Sequence, residues 1–137
     1  MKYGKGFNTH QYHQRHASTQ GELLEKTQFL PIARIIHDNE IETVLDVGCG
    51  TGILKQYLKD EIEYIGFDRS KEMLNYCKNQ GLNAFEVDVE HEEIPKLSSN
   101  LRLYIVCNGT FEYFDVIKIN SFLQGNKTIL DKSSVIV

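Results

Sequence analysis

Asp46, Asp68 and Asp88 each close an apolar run, in VLDV, IGFD and FEVD. If the three runs are neighbouring strands, the three carboxylates arrive at one sheet edge, where an acidic side chain can accept both hydrogen bonds of a ribose diol. Directly after the first acid, Gly48, Gly50 and Gly52 alternate with Cys49 and Thr51. Glycine admits positive φ and lets main chain approach a ligand with no Cβ in the way, and Gly50 is the expected point of closest approach. Acids behind a glycine loop point to a nucleoside-containing ligand. Glycines alone are weak evidence, and the acid at Asp68, sixteen residues after Gly52, sharpens the reading.

Other reactive side chains form no comparable pattern. His10, His13 and His16 recur every three residues, but no Cys or acidic partner stands near them, so no metal site is expected. His37 and His91 read as ordinary surface residues. Cys49, Cys77 and Cys107 lack paired spacing, which favours a reducing compartment, and the cytoplasm is expected. Cys49 reads as a small loop residue and Cys77 as part of an apolar helix face. The formal charge of −4 gives no electrostatic footprint for nucleic acid, and no run approaches the length of a membrane span.

The elements that must position these groups alternate. Residues 1–21 are polar and read as an arm or lid, and 22–137 as one domain. Leu23, Leu24, Leu30, Ile35 and Ile36 fit helical spacing, with Pro31 dividing the segment into two pieces. A strand over 43–47 leads through the glycine loop into a helix over 52–59. A strand over 63–67 precedes a helix capped by Ser70 and stopped at Gly81. Further strands are expected over 83–87, 101–107 and 134–137. A helix is expected over 115–130, burying Val116, Ile119, Phe122 and Leu123. The fold class is α/β: a doubly wound, mostly parallel Rossmann-like sheet of about five strands flanked by helices, with ligands at the carboxyl ends of the strands. The last strand ends the chain at Val137 with an uncovered edge, so either a longer protein or a homo-oligomer joined through that edge is expected.

Two cofactors use such a crevice. A dinucleotide fingerprint needs G-x-G-x-x-G, but Ile53 occupies its third glycine position, which weakens a nicotinamide-dependent oxidoreductase. DVGCGTG, followed by Asp68 and then by Asp88 with Val89, resembles class I S-adenosylmethionine-dependent methyltransferases, over roughly residues 30–137. The resemblance implies that the glycine loop, with Asp46, Gly48, Cys49, Gly50 and Gly52, runs beside the methionyl part of S-adenosylmethionine. It assigns Asp68 to the ribose, and Asp88 with Val89 to the adenine. Arg69 stands where the family often packs an apolar residue on that ring. The segment IVCNGTFEYF resembles the strand end beside the reactive methyl group: Cys107 and Asn108 would meet the amino-acid end of the cofactor, and Glu112 or Tyr113 the acceptor. Leu103 replaces an acid frequent in that strand. The function implied is methyl transfer to a small-molecule or other acceptor. The alternative is a non-catalytic S-adenosylmethionine-binding or assembly module that keeps the fold.

Overall fold

The computed structural model describes residues 19–95, 103–106, 116–126 and 135–136. Helix α1 (Thr19–Asp38) leads into β1 (Thr43–Val47), and a five-residue 3₁₀ helix (Ile53–Tyr57) follows the glycine loop. Then come β2 (Glu63–Asp68), α2 (Lys71–Asn79), β3 (Ala84–Glu86), β4 (Leu103–Val106), α3 (Val116–Gly125) and β5 (Val135–Ile136). Every pairing between these strands is parallel, in the order β3-β2-β1-β4-β5. Because β2 and β3 lie to one side of β1 and β4 and β5 to the other, the chain reverses direction between β1 and β4. That is the switch point at whose carboxyl edge open α/β sheets form their crevice.

The side chains of β1 explain its central place. Thr43, Val44, Leu45, Asp46 and Val47 are all buried, as expected for a strand covered on both faces. Val44 joins Tyr64, Cys49, Met73, Leu74, Cys77 and Ala84 in a core that also takes in Phe29, Ile32, Ala33 and Ile36 of α1. Those α1 residues repeat at helical spacing. Their packing carries one continuous helix through Pro31, where the sequence suggests two pieces; the ring of Phe29 stacks on Tyr57 at 6.0 Å. The buried stripe also differs from the expected one: Leu23, Leu30 and Ile35 are exposed, whereas Ile36 is in the core.

Two further helices differ from expectation. The segment after Gly52 tightens into the 3₁₀ helix instead of an α-helix, ending where the Leu58 N–H bonds the Lys55 carbonyl. Described helix in the last segment spans Val116–Gly125, and Leu123 in it is partly exposed. By contrast, the α2 signals hold. Ser70 Oγ accepts the Met73 N–H at 3.3 Å, and Gly81 adopts φ 75° just beyond the helix. No helix among the described residues is long and apolar enough to cross a membrane.

Candidate functional site

The loop between β1 and the 3₁₀ helix is tied down from within. Gly48, Gly50 and Gly52 have φ of 72°, 57° and 78°. Gly48 N–H and Cys49 N–H both donate to the Phe67 carbonyl, at 2.7 and 2.9 Å, and Gly52 N–H donates to the Cys49 carbonyl at 3.0 Å. Gly50 N–H donates to Asp68 Oδ2 at 2.9 Å, and its carbonyl accepts the Cys77 thiol at 3.2 Å. The left-handed conformation of Gly50 is therefore demanded by the loop itself, and a substitution there perturbs loop shape and ligand approach together. The N–H groups of Gly48, Cys49, Gly50 and Gly52 are thus turned inward, away from any ligand.

Across the sheet the three acids are staggered, not level. Asp46 pairs in register with Gly66, two residues before Asp68, and Asp68 pairs with Glu86, two residues before Asp88. Each step moves the carboxylate about 6–7 Å further along the strand direction. Depth follows the stagger: Asp46 and Asp68 are each 5% exposed, whereas the Asp88 side chain is 31% exposed.

Chemistry follows depth. Burial is the largest influence on Asp46 and raises its pKa to about 7, assisted by the Asp68 charge and opposed by a hydrogen bond from Tyr64 Oη to Oδ2 at 2.6 Å. Burial also raises Asp68, but the N–H groups of Ser70 (2.9 Å, on Oδ1) and Gly50 and the Arg69 charge oppose it. Asp68 thus holds the loop while keeping lone pairs on both oxygens. At Asp88 burial again works upward, but it is outweighed by the His91 hydrogen bond, the Glu90 N–H and the charges of His91 and Arg69. Its pKa is lowered. His91 is a surface residue, as expected, and its Nδ1 lies 3.0 Å from Asp88 Oδ2.

Arg69 reaches Glu90 at 3.9 Å, and Glu90 also meets Lys118 of α3 at 3.4 Å, linking three elements at the rim. Val89 and Glu90 line a cavity of about 150 Å³ shared with Ser121 and Asn126. The Cys49 thiol is pushed well above its usual pKa by the Cys77 hydrogen bond, then burial, then the charge of Asp46. It is a packed, protonated thiol. Cys107, Asn108, Glu112, Tyr113 and the three N-terminal histidines lie outside the described residues. Among the described residues no three His, Cys, Asp or Glu side chains converge as metal ligands.

Two residues passed over in the sequence belong to this site. Tyr64 reads as a strand residue, yet it shares a face with Asp46 because the two are offset by two positions on adjacent strands. Thr51 Oγ1 is buried in the loop and has no partner among the described residues. Gly66, opposite Asp46, has a packing reason: a methyl there would sit 2.8 Å from Cys49 Sγ, 3.1 Å from its Cβ and 3.3 Å from Tyr64 Oη. Gly66→Ala is expected to cost about 1–3 kcal/mol of stability by overpacking, read as a lower urea midpoint at unchanged slope. An unchanged midpoint would mean that the loop yields freely.

A doubly wound parallel sheet with a glycine loop and acids at its carboxyl edge defines a Rossmann-like α/β protein. Residues 44–133 match the family described as "Methyltransferase domain", and the chain belongs to it. Solved structures agree in fold. A TehB-like S-adenosylmethionine-dependent methyltransferase from Corynebacterium glutamicum is 20% identical with a TM-score of 0.63, covering 85% of this chain and 64% of that one. The methyltransferase domain of bacterial CtHen1 is 16% identical with a TM-score of 0.63, covering 82% and 64%. An amino pentose methyltransferase from Micromonospora echinaspora, solved with S-adenosylmethionine bound, is 14% identical with a TM-score of 0.61, covering 93% and 54%. The chain therefore spans less than two thirds of the length of each. No protein of curated function matches it.

Proposed function

We propose that the chain binds S-adenosylmethionine at the carboxyl edge of β1, β2 and β3 and is the cofactor-binding core of a methyltransferase acting on a small molecule. The observation that carries this is the hydrogen bonding of the glycine loop. The N–H groups of Gly48, Cys49, Gly50 and Gly52 are spent on Phe67, Asp68 and Cys49, so these four are not offered to a pyrophosphate. What the site offers instead is acceptors. Asp68 keeps lone pairs for the two ribose hydroxyls, and Asp88, held by His91 and Glu90, is fixed to accept from the adenine amino group. Asp46 supplies negative charge behind the loop, suited to a cationic amino-acid end. These residues fit a nucleoside that carries positive charge and no phosphate.

The bound cofactor supplies an electrophilic methyl on sulfur. The protein's part is to align an acceptor with it and to exclude water. Cys107 and Asn108 are proposed for the cofactor's amino-acid end and Glu112 or Tyr113 for the acceptor, on the family pattern. A small-molecule acceptor fits the −4 charge and the amino pentose methyltransferase that shares the fold.

Titration calorimetry tests the reading. Saturable binding of S-adenosylmethionine and no heat with NAD are expected. Binding of NAD alone would overturn it. Cofactor binding without transfer to any of a panel of amine and hydroxyl acceptors would favour the non-catalytic module.

A further inference from the structure

Asp46 is assigned above to the cationic amino-acid end, but Tyr64, whose hydroxyl donates to its Oδ2 at 2.6 Å, has no assigned role. Asp46 lies at the inner end of the acid stagger and is almost fully buried. Among the described residues its carboxylate takes one hydrogen bond, from Tyr64 on Oδ2, and none reaches Oδ1. The titratable groups around it are Tyr64 and Asp68 from β2, Cys49 from the loop and Cys77 from α2. None is a cation. A buried carboxylate beside a second one, with no cation among the described groups around it, is costly when ionised unless a ligand brings the charge.

We propose that Tyr64 is a positioning residue for the cofactor: by fixing Oδ2 it presents Oδ1 of Asp46 to the cationic amino-acid end, whose arrival drives the Asp46 proton into solvent. The inference rests on the S-adenosylmethionine reading. The phenol has a second effect. Its O–H stabilises the ionised carboxylate, so Tyr64 sets the pH at which the site becomes ready for a cation. Burial holds the ligand-free Asp46 near half ionisation at neutral pH, despite the Tyr64 bond and with help from the Asp68 charge, which makes the linkage measurable there. Below that pH, affinity for the cation should rise about tenfold per pH unit, levelling above about 7.

Calorimetry of S-adenosylmethionine binding in buffers of different ionisation enthalpy counts the protons released. Wild-type protein is expected to release most of a proton at pH 6.5 and little at pH 7.5, and D46N none from this site. Tyr64→Phe should raise the Asp46 pKa further, so that release persists at pH 7.5 and affinity at pH 6.5 falls about tenfold. The ligand's own ionisation cancels in the comparison between variants. A folded Tyr64→Phe protein with wild-type proton release at both pH values overturns the proposal while leaving cofactor binding intact. If that variant does not fold, the wild-type protein decides: adenosine lacks the amino-acid end and must release no proton, and equal release with both ligands overturns the idea. Absence of any S-adenosylmethionine binding overturns both readings.

Discussion

Between pH 4 and pH 7 the ligand-free protein is expected to lose about 3 kcal/mol of stability through Asp46 alone. Its folded-state pKa is about 7, against 3.8 for the ordinary side chain, with burial as the leading cause. The sign follows from which state holds the proton. Below pH 3.8 both states are protonated and the group contributes no pH dependence. As pH rises, the unfolded chain ionises first while the folded protein keeps its proton, so the unfolded state gains. The loss levels off above about pH 7, once the folded carboxylate has ionised as well. Asp68, also raised by burial, acts in the same direction, and Asp88, lowered by His91 and its neighbours, acts in the opposite one. The single contribution is isolated by D46N, which cannot ionise and keeps an acceptor for the Tyr64 hydroxyl. Urea denaturation of the two proteins should give similar stability at pH 4 and a widening advantage for D46N up to pH 7. Parallel curves would mean that water or a rearranged side chain relieves the buried charge.

Asp68→Ala is expected to weaken S-adenosylmethionine binding by about 1.5–3 kcal/mol, the range for hydrogen bonds to a charged acceptor, or roughly tenfold to somewhat over a hundredfold. The structure adds a second effect. Asp68 accepts the N–H groups of both Gly50 and Ser70, so its removal unpins the glycine loop from the start of α2. Stability should fall too, by about 1–3 kcal/mol, as buried donors lose their partner. The two effects separate by ligand. If the carboxylate holds the ribose, adenosine binding weakens along with S-adenosylmethionine binding. If Asp68 only shapes the loop, adenosine affinity survives. Wild-type affinity for both ligands in a folded Asp68→Ala protein would end the ribose assignment.

The sequence alone determined the order of elements and the identity of the loop. Short β-branched runs, the spacing of the glycines and the Ser70 cap are local signals, and local signals specify strand, turn and helix start without reference to the rest of the chain. Alternation of strand and helix then implied a parallel sheet, and the structure has five parallel strands in the order 3-2-1-4-5. Packing decided what local rules could not. Continuity of α1 through Pro31 depends on Phe29, Ile32, Ala33 and Ile36 meeting the sheet, contacts that helical spacing permits without choosing. The 3₁₀ helix after the loop is a short segment whose form is set by its surroundings. The gradation among the three acids is likewise tertiary. In sequence Asp46, Asp68 and Asp88 are equivalent ends of apolar runs, and the register of β1 on β2 and of β2 on β3 sets them at successive depths. Burial then raises the pKa of Asp46 and Asp68, while His91 and the nearby charges lower that of Asp88. Tyr64 reaches Asp46 across eighteen residues of chain because parallel pairing sets them two positions apart on one face. A hydrogen bond made across a sheet leaves no periodic trace in the sequence, since it depends on which strands pair and in what register.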